Sequence, residues 1–77
     1  MEINLLAFGQ IAEIMGKSSW KMAGIKDTNT LIEKLEEQFP ALVKTNYSIA
    51  VNKKVIQENT TINENDTIAL LPPFSGG

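Results

Sequence analysis

The segment DTNTLIEKLEEQFP, residues 27–40, carries the strongest helix signal in the chain. Thr28 or Thr30 can cap its N-terminus, and Thr30 with Glu33 matches the capping-box pattern. Apolar side chains recur at helical spacing and predict one buried stripe: Leu31, Ile32, Leu35 and Phe39. Pro40 ends the helix because a proline ring cannot continue the hydrogen-bonding pattern. We therefore expect one main helix here, with its charged residues facing water.

On the N-terminal side of this helix, the sequence predicts a strand, a short helix and a second strand. EINLLAF, residues 2–8, alternates as a strand does and has one apolar face: Ile3, Leu5 and Ala7. Leu6 and Phe8 lie on its other face. GQIAEIMG, residues 9–16, has the apolar spacing of a short amphipathic helix and ends at a glycine. SSWKMAGI, residues 18–25, alternates again, which favours a hairpin interrupted by the short helix.

On the C-terminal side, two more hairpin strands and a last strand are expected. YSIAVNKKVI, residues 47–56, predicts a strand, a tight turn near residues 52–54 and a short strand. TIALL, residues 67–71, predicts the last strand. Pro72-Pro73 end it, because neither proline can donate a hydrogen bond to a neighbouring strand.

The order of these elements predicts the fold. One main helix, residues 30–39, stands between two hairpin-like halves, and the simplest compact packing is a mixed sheet with that helix across one face. The first and last strands can then pair side by side, as the right-handed crossover rule allows. We therefore expect an α+β protein with a β-grasp, or ubiquitin-like, domain over residues 1–71 and a projecting tail over residues 72–77.

The composition argues against several classes of function. The 77 residues are 43% hydrophobic, which fits one small globular domain, and they include no cysteine and no histidine. A thiol nucleophile, a histidine base and a zinc cluster are thereby excluded, so we expect no metal site and no independent enzyme. The net charge of −2 and the absence of arginine argue against nucleic-acid binding. No apolar run reaches the roughly 18 residues of a membrane span, so we expect a soluble cytoplasmic protein.

The tail PPFSGG, residues 72–77, is the candidate functional segment. The two prolines restrict the backbone and are expected to project the chain outward from the last strand. Ser75 and the side-chain-free Gly76 and Gly77 would form a tip thin enough to thread a narrow channel in a partner protein. The group delivered would be the Gly77 carboxylate, which is inert until it is activated. An ordinary frayed terminus is the alternative.

Phe8 and Leu71 form a second candidate. Both are expected at the ends of two adjacent strands, on the face that the main helix does not cover. Together with Phe74 they predict an apolar docking patch beside the tail, since exposed aromatic residues often anchor interfaces. Ordinary surface hydrophobic residues are the alternative.

Four segments of the chain resemble the MoaD family, the small subunits of molybdopterin synthase: INLLAFGQIAEIMG, TNTLIEKLEEQFP, IAVNKKVI and DTIALLPPFSGG. The resemblance covers essentially the whole chain in order and length, and the ending is its most specific part. The helix directly after the first strand favours MoaD over the shorter ThiS-type carriers of thiamine biosynthesis.

The resemblance implies a ubiquitin-like sulfur carrier of molybdenum cofactor biosynthesis. A MoeB-like adenylyltransferase would activate Gly77 with ATP and magnesium, and a sulfurtransferase would convert it to a thiocarboxylate. The carrier would insert its tail into a MoaE-like large subunit and give sulfur to cyclic pyranopterin monophosphate, with Phe8 and Leu71 facing its partners. ATP and magnesium would be used by the activating partner, so no cofactor is expected on the carrier itself.

Two alternatives stay open. A related carrier for thiamine or an amino acid, or a ubiquitin-like protein modifier, would have the same tail and a different partner. A β-grasp interaction module without an activated terminus would gain no sulfur when supplied with ATP, an activating enzyme and a sulfur source.

Overall fold

The computed structural model of the protein describes residues 2–72, so Met1 and the predicted tail from Pro73 onwards lie outside the described residues. The described elements are β1 (Glu2–Ala7), α1 (Gly9–Met15), β2 (Ser19–Ala23), α2 (Thr28–Gln38), β3 (Ser48–Val51), β4 (Lys54–Ile56) and β5 (Thr67–Leu71). The order predicted from the sequence is confirmed. A 3₁₀ helix, Pro40–Lys44, also follows α2 and was not predicted.

The strands form one mixed sheet in the order β2-β1-β5-β3-β4. β1 pairs with β2, and β3 pairs with both β4 and β5, all antiparallel. β1 and β5 run parallel at the centre, with Leu5 opposite Ile68 and Ala7 opposite Leu70. The expected pairing of the first and last strands is therefore confirmed, and with it the β-grasp fold.

The core lies between α2 and one face of the sheet. Alternate residues of β1 supply its centre, and each is at most 1% exposed: Ile3, Leu5 and Ala7. Leu31 and Leu35 of α2 pack against them, while Ile32 and Phe39 are partly buried at the edge of the same cluster. The predicted apolar stripe is thus confirmed. Burying a large aliphatic side chain completely contributes about 1.5–3 kcal/mol, so this face supplies most of the stability.

The N-terminal cap of α2 differs from the prediction. The cap is Asp27, whose Oδ1 accepts a hydrogen bond of 2.9 Å from the Thr30 N–H. Thr28 is instead buried, and its hydroxyl accepts a hydrogen bond of 2.9 Å from the Thr60 N–H. The predicted threonine cap, with Glu33 completing a capping box, was wrong because Thr28 is held by a loop distant in sequence.

The β3–β4 hairpin turns as predicted. Asn52 and Lys53 have φ values of 51° and 74°, and two consecutive positive φ angles are the signature of a two-residue type I′ turn. Asn tolerates this left-handed conformation better than most residues. The turn brings the Asn52 side chain to the beginning of β5, where its Oδ1 accepts a hydrogen bond from the Thr67 N–H.

Candidate functional site

The pairing of strand β5 with both neighbouring strands ends at or just before Leu71. On one side, β1 ends with Ala7 opposite Leu70, and the Phe8 N–H donates one further hydrogen bond of 3.2 Å to the Leu70 carbonyl. On the other side, Ser48 is the first residue of β3 and lies opposite Leu71. Within residues 2–72, neither strand therefore continues the ladder past the end of β5.

The Pro72 ring, the first part of the tail, lies against the backbone of Gly9. A Cβ atom placed on Gly9 would lie 3.2 Å from Cγ and 3.8 Å from Cβ of Pro72. Gly9 also has a φ of 57°, in the left-handed region that favours glycine. The chain thus turns from β1 into α1 at the point where Pro72 leaves the sheet. Gly9 was not among the residues predicted for the site, and its signal in the sequence is a glycine directly after the predicted first strand.

Phe8 and Leu71 lie side by side at this end of the sheet. Phe8 follows Ala7 by one residue and Leu71 follows Leu70 by one, so the parallel register places them next to each other. Phe8 is 46% exposed and Leu71 is half-buried. Their expected position is observed, and their role in partner binding stays a prediction. The other predicted site residues, Phe74, Ser75, Gly76 and Gly77, lie outside the described residues.

A row of apolar side chains crosses the sheet next to these two residues, on the face turned away from α2. The pairing register sets its members side by side in the order Leu6, Ala69, Ala50 and Val55. We call these four residues the open-face row. Val55 is 54% exposed, Leu6 and Ala69 are partly exposed, and Ala50 is buried between its neighbours in the row. Sequence reasoning placed Leu6 and Ala69 on the face opposite the core but missed Ala50 and Val55, because the cross-strand register was not known.

The same face is polar further from the tail. The neighbouring row contains Lys21, Asn4 and Thr67, which lie opposite one another in the register. The open face therefore has a polar half near the start of β5 and a mainly apolar half near its end, where Ser19 and Ser48 are the polar neighbours of Leu6 and Leu71. We call the second the apolar half. The apolar half is continuous with Phe8 and Leu71, so a partner that covers it would also meet the first residue of the tail.

The start of β5 is held by a polar network. The Asn52 side chain donates to Asp66 Oδ1 at 2.9 Å and accepts from the Thr67 N–H at 2.9 Å. The Asn63 N–H donates to Asp66 Oδ2 at 2.8 Å. The bond from the Asn52 side chain, and then that from the Asn63 backbone, hold the pKa of Asp66 below its usual value. These groups fix the loop that leads into β5.

The start of β3 is also anchored. The Tyr47 hydroxyl donates a hydrogen bond of 3.1 Å to Glu36 on α2. Burial of the phenol, followed by its bond to the Glu36 carboxylate, raises the pKa of Tyr47 to about 12. Ser48, which directly follows, is therefore fixed beside Leu71. Tyr47 thus supports the position of the strand end from the helix side of the sheet.

Neither a metal-binding cluster nor a membrane-spanning helix is found in the described region. Among residues 2–72 there is no group of three or more His, Cys, Asp or Glu side chains that could hold a metal ion. None of the helices in that range is long and apolar enough to cross a membrane. The feature that remains is the end of β5, where the strand pairing stops, with the Gly9–Pro72 contact and the adjoining apolar surface.

Known proteins share both the sequence and this arrangement of strands. The chain matches the ThiS family over residues 5–77. It is 35% identical over 83 residues to the molybdopterin synthase sulfur carrier subunit of Dictyostelium discoideum, with 99% of this chain and 96% of that protein covered.

Two solved structures are similar. A putative molybdopterin converting factor subunit 1 from Pyrococcus furiosus has a TM-score of 0.83 at 15% identity, over 96% of this chain and 99% of that chain, and shows the fold alone. A chain in the complex of subunits 1 and 2 of molybdopterin-converting factor from Helicobacter pylori has a TM-score of 0.75 at 28% identity, with 100% of both chains covered.

The resemblance to small subunits of molybdopterin synthase is confirmed by these relatives. The β-grasp fold is confirmed by the sheet order and by the structural neighbours. Since the family match spans all but the first four residues, the chain belongs to the ThiS family.

Proposed function

We propose that this chain is the sulfur-carrier subunit of molybdopterin synthase. In this role a thiocarboxylate at Gly77 gives its sulfur to cyclic pyranopterin monophosphate in molybdenum cofactor biosynthesis. The observation that carries the proposal is the 35% identity, over nearly the full length of both chains, to a molybdopterin synthase sulfur carrier subunit.

The geometry at the end of β5 supports this function. A carrier needs a terminus that can enter a partner's pocket and a surface that holds the partner in place. Within residues 2–72 the strand pairing ends at Ala7 opposite Leu70 on one side of β5 and at Ser48 opposite Leu71 on the other. Phe8, Leu71 and the open-face row supply an adjoining apolar surface. Phe74 would extend that surface along the tail, with Ser75 and Gly76 leading to the reactive residue.

The proposed chemistry places every acid–base group on the partners. A Gly77 carboxylate oxygen attacks the α-phosphorus of magnesium-bound ATP, and pyrophosphate leaves. Sulfur at the oxidation level of sulfide then attacks the acyl carbon, AMP leaves and the thiol proton is lost, which gives the thiocarboxylate. Holding that sulfur inside a partner's pocket replaces a bimolecular encounter with a positioned one. The carrier accordingly needs no catalytic side chain and no bound cofactor of its own.

Three partners follow from this chemistry. A MoeB-like adenylyltransferase supplies the ATP site, a sulfurtransferase supplies the sulfur, and a MoaE-like large subunit binds the pterin. The large subunit is supported by the Helicobacter pylori neighbour, which was solved as a complex of subunits 1 and 2. Because activation consumes ATP, the proposal places the carrier in the cytoplasm. It requires neither nucleic acid nor a membrane.

The choice of pathway rests on the relatives. The ThiS description by itself fits carriers for thiamine as well as carriers for molybdopterin. The relative from Dictyostelium discoideum and the Helicobacter pylori neighbour are both named for molybdopterin, at 35% and 28% identity. These matches favour the molybdenum pathway over the thiamine pathway.

Mass spectrometry tests the proposal. The full chain is incubated with a MoeB-like enzyme, ATP, magnesium and sulfide, and a gain of about 16 Da marks exchange of oxygen for sulfur. The product is then mixed with the large subunit and cyclic pyranopterin monophosphate, and loss of that gain together with dithiolene formation is expected. A matched control lacks Gly77. No gain in mass would refute a carrier role, and a gain that the pterin system cannot discharge would refute the molybdenum pathway.

A further inference from the structure

We propose that Gly9 is a positioning residue for the tail: its bare backbone receives the Pro72 ring and thereby sets the direction in which the tail leaves the sheet. The inference rests on the proposed function, because direction matters only if the tail reacts inside a partner. It concerns a residue of the β1–α1 turn that is 63 positions away from Pro72 in the sequence.

A glycine at position 9 could be required by its positive φ or by the closeness of the Pro72 ring, and two other glycines of the chain distinguish these reasons. Gly9, Gly16 and Gly24 all have positive φ, at 57°, 84° and 77°. Among the described residues, nothing lies within 4 Å of a Cβ built on Gly16 or Gly24, whereas a Cβ on Gly9 lies 3.2 Å from Pro72 Cγ. Backbone conformation alone therefore accounts for the other two, and Gly9 has the additional contact with the tail.

The close approach limits the orientation of Pro72. The proline ring already restricts φ at Pro72, and its Cγ would lie only 3.2 Å from a Cβ on Gly9, so the ring occupies the space that a side chain at Gly9 would need. The docking residues Phe8 and Leu71 directly precede Gly9 and Pro72, so the direction is defined relative to the surface that the partner covers. Five residues span at most about 17 Å when extended, so an error of about 10° at Pro72 would move the end of such a segment by roughly 3 Å. Misplacement of a reacting group by about 1 Å can cost about 100-fold in rate.

The test compares Gly9→Asn with Gly24→Asn. Asn is the side chain that best tolerates the left-handed region, so both variants keep an accessible backbone, and only the first adds a Cβ against Pro72. The readout is ATP–pyrophosphate exchange by the MoeB-like enzyme, with the carrier as the varied substrate. We expect Gly9→Asn to lower kcat about tenfold with KM within about twofold of wild type, because the docking surface is unchanged. Gly24→Asn is expected to leave both values within about twofold.

A second variant removes the other side of the contact. Pro72→Ala deletes Cγ, the atom nearest to a Cβ on Gly9. We expect it to lower kcat severalfold with an unchanged melting temperature. In this background the addition of Gly9→Asn should cost less than about twofold more, since the two changes act on one contact. If the fold-reduction in kcat of the double variant equals the product of the reductions of the two single variants, the proposal is overturned. If Gly9→Asn does not fold, Pro72→Ala decides alone, and an unchanged kcat overturns the proposal.

The outcomes separate this inference from the proposed function. Wild-type carrier that supports no exchange would overturn the carrier function and, with it, this role of Gly9. Wild-type exchange with equal kcat values for the Gly9→Asn and Gly24→Asn variants would overturn only the positioning role.

Discussion

The two ends of strand β5 are built in opposite ways. At its start, the side chains of Asn52 and Asp66 and the backbone of Asn63 and Thr67 form a connected hydrogen-bond network. The Asn65 N–H also donates to the Glu2 carbonyl at 2.7 Å. At the other end of β5, the Phe8 N–H donates to the Leu70 carbonyl next to the strand pairing, and the large exposed side chain is the apolar Phe8.

This difference leads us to expect that the start of β5 maintains the fold and that its end is the surface offered to a partner. A polar network satisfied within the chain stabilises the fold and leaves few groups for a partner. An exposed apolar surface at the end of a strand adds little to the stability of the fold, and it can be covered by another molecule. The two ends can therefore be tested separately, because changes at the start of β5 should alter stability and changes at its end should alter function.

The largest expected effect is at the tail. Deletion of Gly77 should abolish sulfur transfer completely while changing the melting temperature by less than about 2 °C, because every core residue described lies between Ile3 and Leu70. Thermal unfolding and the thiocarboxylate assay are run on the same preparation. A large fall in melting temperature would show that the terminus belongs to the folded core and would break the comparison.

The next largest effect is expected at Phe8. Phe8→Asp places a charge on the apolar half of the open face and should weaken binding of the large subunit about 10- to 100-fold, with little loss of stability. Isothermal titration calorimetry measures the affinity. Val43→Asp is the matched control, because Val43 is 64% exposed on the 3₁₀ helix that follows α2. Equal affinities for the two variants would remove Phe8 from the interface.

At the start of β5 the effect should appear in stability. Asn52→Ala removes two hydrogen bonds and puts alanine at a φ of 51°, which should lower the free energy of unfolding by about 1–2 kcal/mol. Asn52→Gly loses the same bonds but permits the turn, so it should cost less. Denaturant unfolding measures both. The rate of thiocarboxylate formation per folded molecule should stay at the wild-type value, and a reduced rate would show that the two ends are coupled.

The smallest effect is a pH dependence of the helix cap. Hydrogen bonds from Thr30, and to a lesser extent from Asn59, hold the pKa of Asp27 below its usual value of roughly 4. Because the folded-state pKa is depressed, the carboxylate stabilises the fold above the usual pKa, and this contribution is lost as pH falls through the lower folded-state pKa. Asp27→Asn keeps a capping oxygen and does not titrate. Its melting temperature should approach that of wild type as pH falls below the usual carboxyl pKa and through the lower folded-state pKa of Asp27, and a constant difference would contradict the cap's role.

Local patterns in the sequence were sufficient for the architecture. The alternation in EINLLAF and TIALL and the stripe of α2 each report a buried face, and together they predicted the central β1–β5 pair. The 3₁₀ helix was missed because Pro40 ends α2 but is itself tolerated in the first turn of a new helical segment. Leu42, which is buried in that segment, was the available signal.

The errors and omissions at the site share one physical cause. The cap of α2 depends on Asn59 and Thr60, which hold Thr28 from about 30 residues away. The Gly9–Pro72 contact depends on two parallel strands ending together. The open-face row depends on cross-strand register. Each is a relation between segments distant in sequence, whereas periodicity and capping patterns report only on neighbours along the chain.

The position of β5 has a consequence for biosynthesis. This strand is translated after the other four, yet it lies in the middle of the sheet and joins the two hairpins. A nascent chain that stops before Thr67 has only two separate ribbons, and an isolated two-stranded ribbon is marginally stable in water. Truncated products should therefore remain unfolded and be open to proteolysis instead of competing with intact carrier for its enzymes. Because of this topology, the chain can fold only after β5 has been synthesised.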